Sequence, residues 1–209
     1  MSNCDFLIKQ LLLRALHVIV GIYEPLAYTD LGGLKMEKYP EMRRVEKDMN
    51  KSEKQITIRN CLTLRFDEGF RVMNAEEKRK LPSLGEDPSD VLNDPERHII
   101  ISMGWKKVPH LTSLLYNTKD AVQAAKKSIK KPMQAFGYCH EEDLSRNIAG
   151  EAAEGFCYEY ETQGIGMFGE TYVFKYETGL FYLHFYTRTA LKEENLKIWN
   201  DMLDHAVLQ

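Results

Sequence analysis

Between Leu144 and Thr189 apolar and polar residues alternate in four runs separated by short glycine-bearing turns, a pattern that predicts a β-meander. In Glu154 to Glu161, Phe156, Tyr158 and Tyr160 fall at spacing two against Cys157, Glu159 and Glu161. In Glu170 to Glu177, Tyr172, Phe174 and Tyr176 oppose Thr171, Val173, Lys175 and Glu177. Leu180 to Thr189 sets Phe181, Leu183 and Phe185 against Tyr182, His184 and Tyr186, and the shorter run Leu144 to Ala149 leads the series. Gln163 to Gly169 and Thr178-Gly179 supply the glycines that tight hairpin turns favour. Aromatic side chains at strand spacing fit a half-buried pleated surface, so the pattern predicts a sheet covered by helices on at least one face. A stacking platform for bases would need basic neighbours, whereas Glu154, Glu159, Glu161, Glu170 and Glu177 make this region acidic.

Upstream, Ile56 and Ile58, then Leu62, Leu64 and Phe66, alternate with polar residues, and Asp67-Glu68-Gly69 turns the chain into Phe70 to Met73, predicting a first hairpin. Asn74 to Pro95 carries Pro82, Pro88 and Pro95 among Asp, Ser and Gly and reads as a long surface excursion with at most one helical turn. Arg97 to Trp105 returns to the strand period. Asn117 then caps a helix expected to run to about Lys131 and to end at Pro132. Ala190 to Leu208 carries one broad apolar stripe, including Leu191, Ile198, Trp199 and Met202, and predicts a closing helix across the sheet.

The most apolar stretch, Phe6 to Tyr23, is interrupted by Arg14 and His17 and lacks an A-x-A-like cleavage site. Its apolar residues recur every three to four positions from Phe6 to Ile22, so a buried helix is expected, docking on the main domain or on a second copy of the chain. Read as a signal, the same stretch would make the protein exported; read as a core helix, it leaves a cytoplasmic protein without a membrane span. Met36 to Lys54 mixes both charge signs, as a solvated helix or linker does. Residues 1–51 are therefore expected to form a helical extension and charged linker, and 52–209 the main domain.

A chain of 209 residues, 44% hydrophobic and 28% charged, can bury a full core without disulfides or a metal. A net charge of -3 argues against general nucleic-acid binding. Cys4, Cys61, Cys139 and Cys157 form no CxxC and no close pair, so reduced thiols are expected and neither a zinc site nor a disulfide framework is indicated.

Candidate chemistry is sparse. Gly164-x-Gly166-x-x-Gly169 matches the dinucleotide fingerprint in letters, but a strand pattern follows it where the fingerprint requires a helix amino terminus. Cys139-His140-Glu141-Glu142-Asp143 is the densest reactive cluster, with Cys139 and His140 as candidate thiol and imidazole. Neighbours on an extended chain point to opposite sides, so the two cannot readily act as one pair. His98 and His184 lie in strand patterns and could line a ligand pocket with Tyr158 or Tyr172. Glu159 and Glu161, roughly 7 Å apart on one strand face, have the spacing of a carboxylate pair without an apolar pocket to raise either acid. Lys126, Lys127, Lys130 and Lys131 complement a helix carboxyl terminus. No catalytic residue, cofactor-binding residue or metal ligand is assigned.

The order of strands, excursion, helix, meander and closing helix, with Ile148-Ala149-Gly150-Glu151-Ala152 entering an aromatic strand and Leu64 to Phe70 forming an apolar-turn-aromatic start, resembles the PsbP/Mog-like superfamily over about 55–208. The resemblance implies an α+β fold, an α/β/α sandwich around an antiparallel sheet. Members of that family are binding and assembly proteins, among them photosystem subunits and partners of the Ran GTPase; no functional residue of theirs carries over to this chain. The implied function is a non-enzymatic protein-interaction or assembly module. Two alternatives stand beside it: a cystatin-like pocket protein, possibly enzymatic, with Tyr158, Tyr172 and His184 facing inwards, and a homo-oligomer joined through Phe6 to Ile22.

Overall fold

The structure, a computed structural model, describes residues 53–80, 90–108 and 117–209. The apolar stretch near the amino terminus, the mixed-charge linker and most of the proline-rich excursion lie outside the described residues. Among the described residues the strands and α-helices follow in the order β1 (Lys54–Ile58), β2 (Leu62–Phe66), β3 (Arg71–Val72), α1 (Ala75–Lys80), β4 (Asp90–Asp94), β5 (Ile99–Lys107), α2 (Thr118–Met133), β6 (Cys139–Ile148), β7 (Glu151–Thr162), β8 (Ile165–Tyr176), β9 (Gly179–Arg188), α3 (Lys192–Asp204) and β10 (Val207–Leu208). Seven strands form one antiparallel sheet in the order β3-β4-β5-β9-β8-β7-β6, and β1-β2-β10 form a second, smaller one. The chain is thus α+β.

The meander forms as the alternation predicts, because each of its runs can bury one parity on each side of the large sheet. Phe168, Phe174, Phe181, Leu183 and Phe185 face Trp199, Met202 and Leu203 of α3 and the apolar face of the small sheet. Phe185 and the Trp199 indole stack 5.5 Å apart and within 13° of parallel. The opposite parity, Phe156, Tyr158, Tyr160, Val173 and Leu180, lies beneath Ala121, Val122, Ile129 and Met133 of α2. Both faces are therefore covered. The hairpin turns use left-handed backbone at Ala149-Gly150 and Gln163-Gly164, as two-residue connections between twisted strands require.

Four expectations need correction. The chain from Asn74 to Pro95 is not an unbroken excursion: α1 opens it, and β4 near its end pairs with β5 from Asp90 opposite Met103 to Asp94 opposite Ile99. Pro88 and Pro95 flank that short strand, and their punctuation conceals it. Arg71-Val72 leaves the first hairpin, whose two strands are β1 and β2, and pairs with β4 at the edge of the large sheet. The closing helix occupies Lys192–Asp204, after which Val207 and Leu208 pair with Thr63 and Leu62 as a strand. Helix α2 is capped as expected, the Asn117 carboxamide accepting the Asp120 amide at 2.7 Å. Pro132 does not stop it: its ring removes one N–H in the final turn, and the helix runs through Met133.

Candidate functional site

On the α2 face the strand register aligns one row of residues across the large sheet. Asn93 opposes Ile100, Ile100 opposes Tyr186, Tyr186 opposes Gly169, Gly169 opposes Tyr158, and Tyr158 opposes His140. Gly169 is required there: a Cβ at that position would fall 2.5 Å from Cζ of Tyr158, whose ring lies across the glycine. The Tyr158 and Tyr186 hydroxyls and the Asn93 carboxamide are buried. Burial raises the pKa of both phenols, and each phenol perturbs the other. In the next row the Thr171 hydroxyl and His184 Nδ1 share a hydrogen bond of 2.9 Å. His184 keeps some solvent contact, yet the surrounding protein disfavours the imidazolium and holds its pKa down at about 4. All these groups are neutral at physiological pH, so the layer offers hydrogen bonds and aromatic surface without a charged acid or base.

Of the three residues expected to line a pocket, Tyr158 and His184 share this face and Tyr172 does not. Tyr158 sits opposite Gly169, and Tyr172, three positions further along β8, points to the α3 side. There the Arg146 guanidinium lies 5.7 Å from its ring centre. The pocket of three is therefore not assembled. His98 is in the turn before β5 at φ +56° rather than in a strand; burial, then the charge of Arg188, lowers its pKa. Glu159 and Glu161 share one parity of β7, with Lys192 3.8 Å from Glu159. In the glycine fingerprint, Gly164 makes the turn and Gly166 and Gly169 lie within β8, so no helix amino terminus follows. Among the described residues no group of three or more His, Cys, Asp or Glu could hold a metal ion.

The reactive cluster lies on β6, the outermost strand of the large sheet among the described residues. Cys139 opposes Glu159 and His140 opposes Tyr158, so thiol and imidazole diverge. A register shift between His140 and Glu142 leaves Glu141 without a cross-strand partner. A bulge of this kind brings i and i+3 to one face, where an even strand would separate them. His140 Nε2 consequently lies 3.1 Å from Asp143 Oδ1, and the Lys126 ammonium donates to the same oxygen. That hydrogen bond holds the Asp143 carboxyl below its usual range. The alternation of the sequence cannot show a bulge, so it gave no reason to pair His140 with Asp143.

Two polar centres on the α3 side carry no sequence signal either. Glu170 is buried and accepts the Trp199 indole N–H at 2.9 Å; burial raises its pKa. Arg97 donates to both oxygens of Asp67 and to Asp94, and its backbone carbonyl accepts the Asn195 carboxamide at 2.7 Å. The first makes α3 register on β8. The second joins the loop after β2, the turn before β5 and α3 at one point.

Comparison with known proteins finds no matching family model and no matching curated protein. Solved structures do match. The solution structure of cyanobacterial PsbP (CyanoP) from Synechocystis sp. PCC 6803 is similar at a TM-score of 0.58 and 11% identity, over 87% of this chain and 99% of that one. LpqN, involved in cell envelope biogenesis of Mycobacterium tuberculosis, aligns at a TM-score of 0.47 and 12% identity, over 77% of this chain and 87% of that one. A protein of unknown function from Pseudomonas aeruginosa, PA94, a regulator candidate by its description, aligns at 0.37 and 12% identity over 71% and 92%. At these identities the likeness shows the fold alone, and that fold, α+β around an antiparallel sheet, is PsbP-like.

Proposed function

We propose that this chain is a non-enzymatic interaction module that engages a protein partner along β6, in keeping with the binding and assembly roles of the PsbP/Mog-like resemblance. The observation that supports this reading is the strand order. The large sheet ends on a ten-residue strand whose one sheet neighbour among the described residues is β7. The opposite edge, β3, has two residues. A long edge presents a row of backbone donors and acceptors to an incoming strand. Its bulge and its charged Glu142, Asp143 and Arg146 restrict which strand can pair there, while Ser145 and Asn147 are small, polar and exposed and no proline interrupts it. The absence of enzymatic activity belongs to the same proposal, supported by a neutral His184 bound to Thr171 and by the divergence of Cys139 from His140.

The test recovers tagged full-length protein from its own cells at physiological salt, beside a Ser145→Asp/Asn147→Asp variant checked for wild-type folding by circular dichroism. A stoichiometric protein retained by the wild type and lost by the variant is the expected result. A bound metabolite without a protein, or a partner indifferent to the two aspartates, contradicts the reading.

A further inference from the structure

The sequence of β6 is complementary to itself, and we propose that the strand it accepts is β6 of a second copy of this chain, in antiparallel register centred on Leu144. The inference rests on β6 being the docking edge. In an antiparallel ladder, two facing residues must both point their N–H and C=O across the gap or both point them away. Two identical strands related by a two-fold axis therefore pair with one residue facing its own copy. Within the regular part of β6, after the bulge at Glu141, the centres from Glu142 to Arg146, which keep two or more residues on each side inside the strand or next to the bulge, have distinct electrostatic outcomes.

Centring on Glu142, Asp143 or Arg146 places like charges directly opposite, which destabilises a pair. Centring on Ser145 sets Leu144 against Arg146 and Asp143 against Asn147. Centring on Leu144 instead sets Glu142 against Arg146 of the second copy, twice by symmetry, and Asp143 against Ser145. All three α3-side positions agree in facing: Glu142, Leu144 and Arg146 lie opposite Cys157, Gly155 and Ala153, so the charges and the apolar centre meet on one surface. Glu142 is exposed and half-buried Leu144 packs on the core beside it. Arg146 donates one nitrogen to Asn200 and another to Asp204 of its own α3 and lies over the Tyr172 ring, so pairing with Glu142 requires it to turn towards the edge. Its five-donor fork can take an additional carboxylate, forming Asp204-Arg146-Glu142 across the axis. The bulge at one end and the Ala149-Gly150 turn at the other limit the ladder to this stretch, so the register cannot slide without losing a charge pair.

The test uses the full-length chain at physiological salt. Sedimentation over the micromolar range should give a dimer. Glu142→Arg, at an exposed site, should weaken it at least about tenfold, the cost of replacing attraction by repulsion at two symmetric pairs. In a Cys139→Ser background, Leu144→Cys should form an intermolecular disulfide on oxidation, and Ser145→Cys should not. A dimer that resists Glu142→Arg and does not cross-link at position 144 overturns the proposal. So does a monomer across the range; if a different protein then protects β6 amides from hydrogen exchange, the docking edge stands and the second copy is wrong. If β6 amides exchange freely in every complex found, the docking edge itself fails.

Discussion

A half-buried histidine and a buried glutamate give this fold opposite pH responses. His184 has a folded pKa of about 4 against 6.5 for the free side chain. The unfolded chain therefore takes up a proton that the native state refuses, and stability present above pH 6.5 is lost as pH falls towards 4, by on the order of 2–3 kcal/mol. Replacing it by asparagine, which can still bond Thr171, should flatten the fall of the melting temperature between pH 7 and 4. Glu170 runs the other way. Its folded pKa is raised by burial, so its contribution is full below the ordinary carboxyl range and is lost as pH rises through the folded value. Glu170→Gln keeps an acceptor for Trp199 and should gain stability relative to wild type as pH rises, as urea unfolding at several pH values would measure. A variant that tracks wild type at every pH would show that the carboxyl is not held in a costly environment. The aromatic parity of these strands was legible in the sequence; the fate of single polar residues was not. Tyr158 and Tyr172 look equivalent in pattern, yet only the β7-β8 register, set by the Gln163-Gly164 turn, decides that they face opposite sides.

Among the elements, glycines distinguish sites of close approach from open ones. A Cβ at Gly155 would come 2.4 Å from the Thr171 carbonyl oxygen, and backbone cannot move aside as a flexible side chain can. Gly155→Ala should cost about 1–3 kcal/mol in denaturant unfolding. At Gly104 a Cβ meets no atom within 4 Å, so the same change there should leave stability within about 0.5 kcal/mol. Equal losses at both would contradict the packing described for the sheet. The meander, α2 and α3 were legible because each carries a long period of 2.0 or 3.6 residues. Elements without such a period escaped: β4 is five residues flanked by prolines, and β3 and β10 have two residues each, whose pairing depends on tertiary placement. The β6 bulge escaped for the same reason, since one inserted residue leaves composition unchanged.

In the whole molecule, two sheets share one core, and Arg97 is the polar point that joins them. Its guanidinium bridges Asp67 beyond β2 and Asp94 at the end of β4, and lies 5.0 Å from the Phe70 ring centre. The Asp94 side chain is 1% exposed, so Arg97→Met would leave a buried carboxylate unpaired. The expected loss is about 3–5 kcal/mol in chemical unfolding, and a loss under 1 kcal/mol would show that the ion pair is dispensable. Among the described residues α2 lies over one face of the large sheet and α3 with the small sheet over the other, which supports the proposal that a partner strand docks along the edge. The sequence supplies that strand's residues but not its position: chain order places β6 before three further strands of its sheet, whereas in space it is outermost among the described residues.

The most direct measurement is hydrogen exchange of the backbone amides from Glu142 to Ile148, in full-length protein alone at low concentration and in the complex recovered from its own cells. The account predicts that alternate amides of β6, those pointing away from β7, exchange rapidly in the isolated chain and slow by orders of magnitude in the complex. Unchanged exchange along β6, with protection appearing elsewhere on the surface, would contradict it.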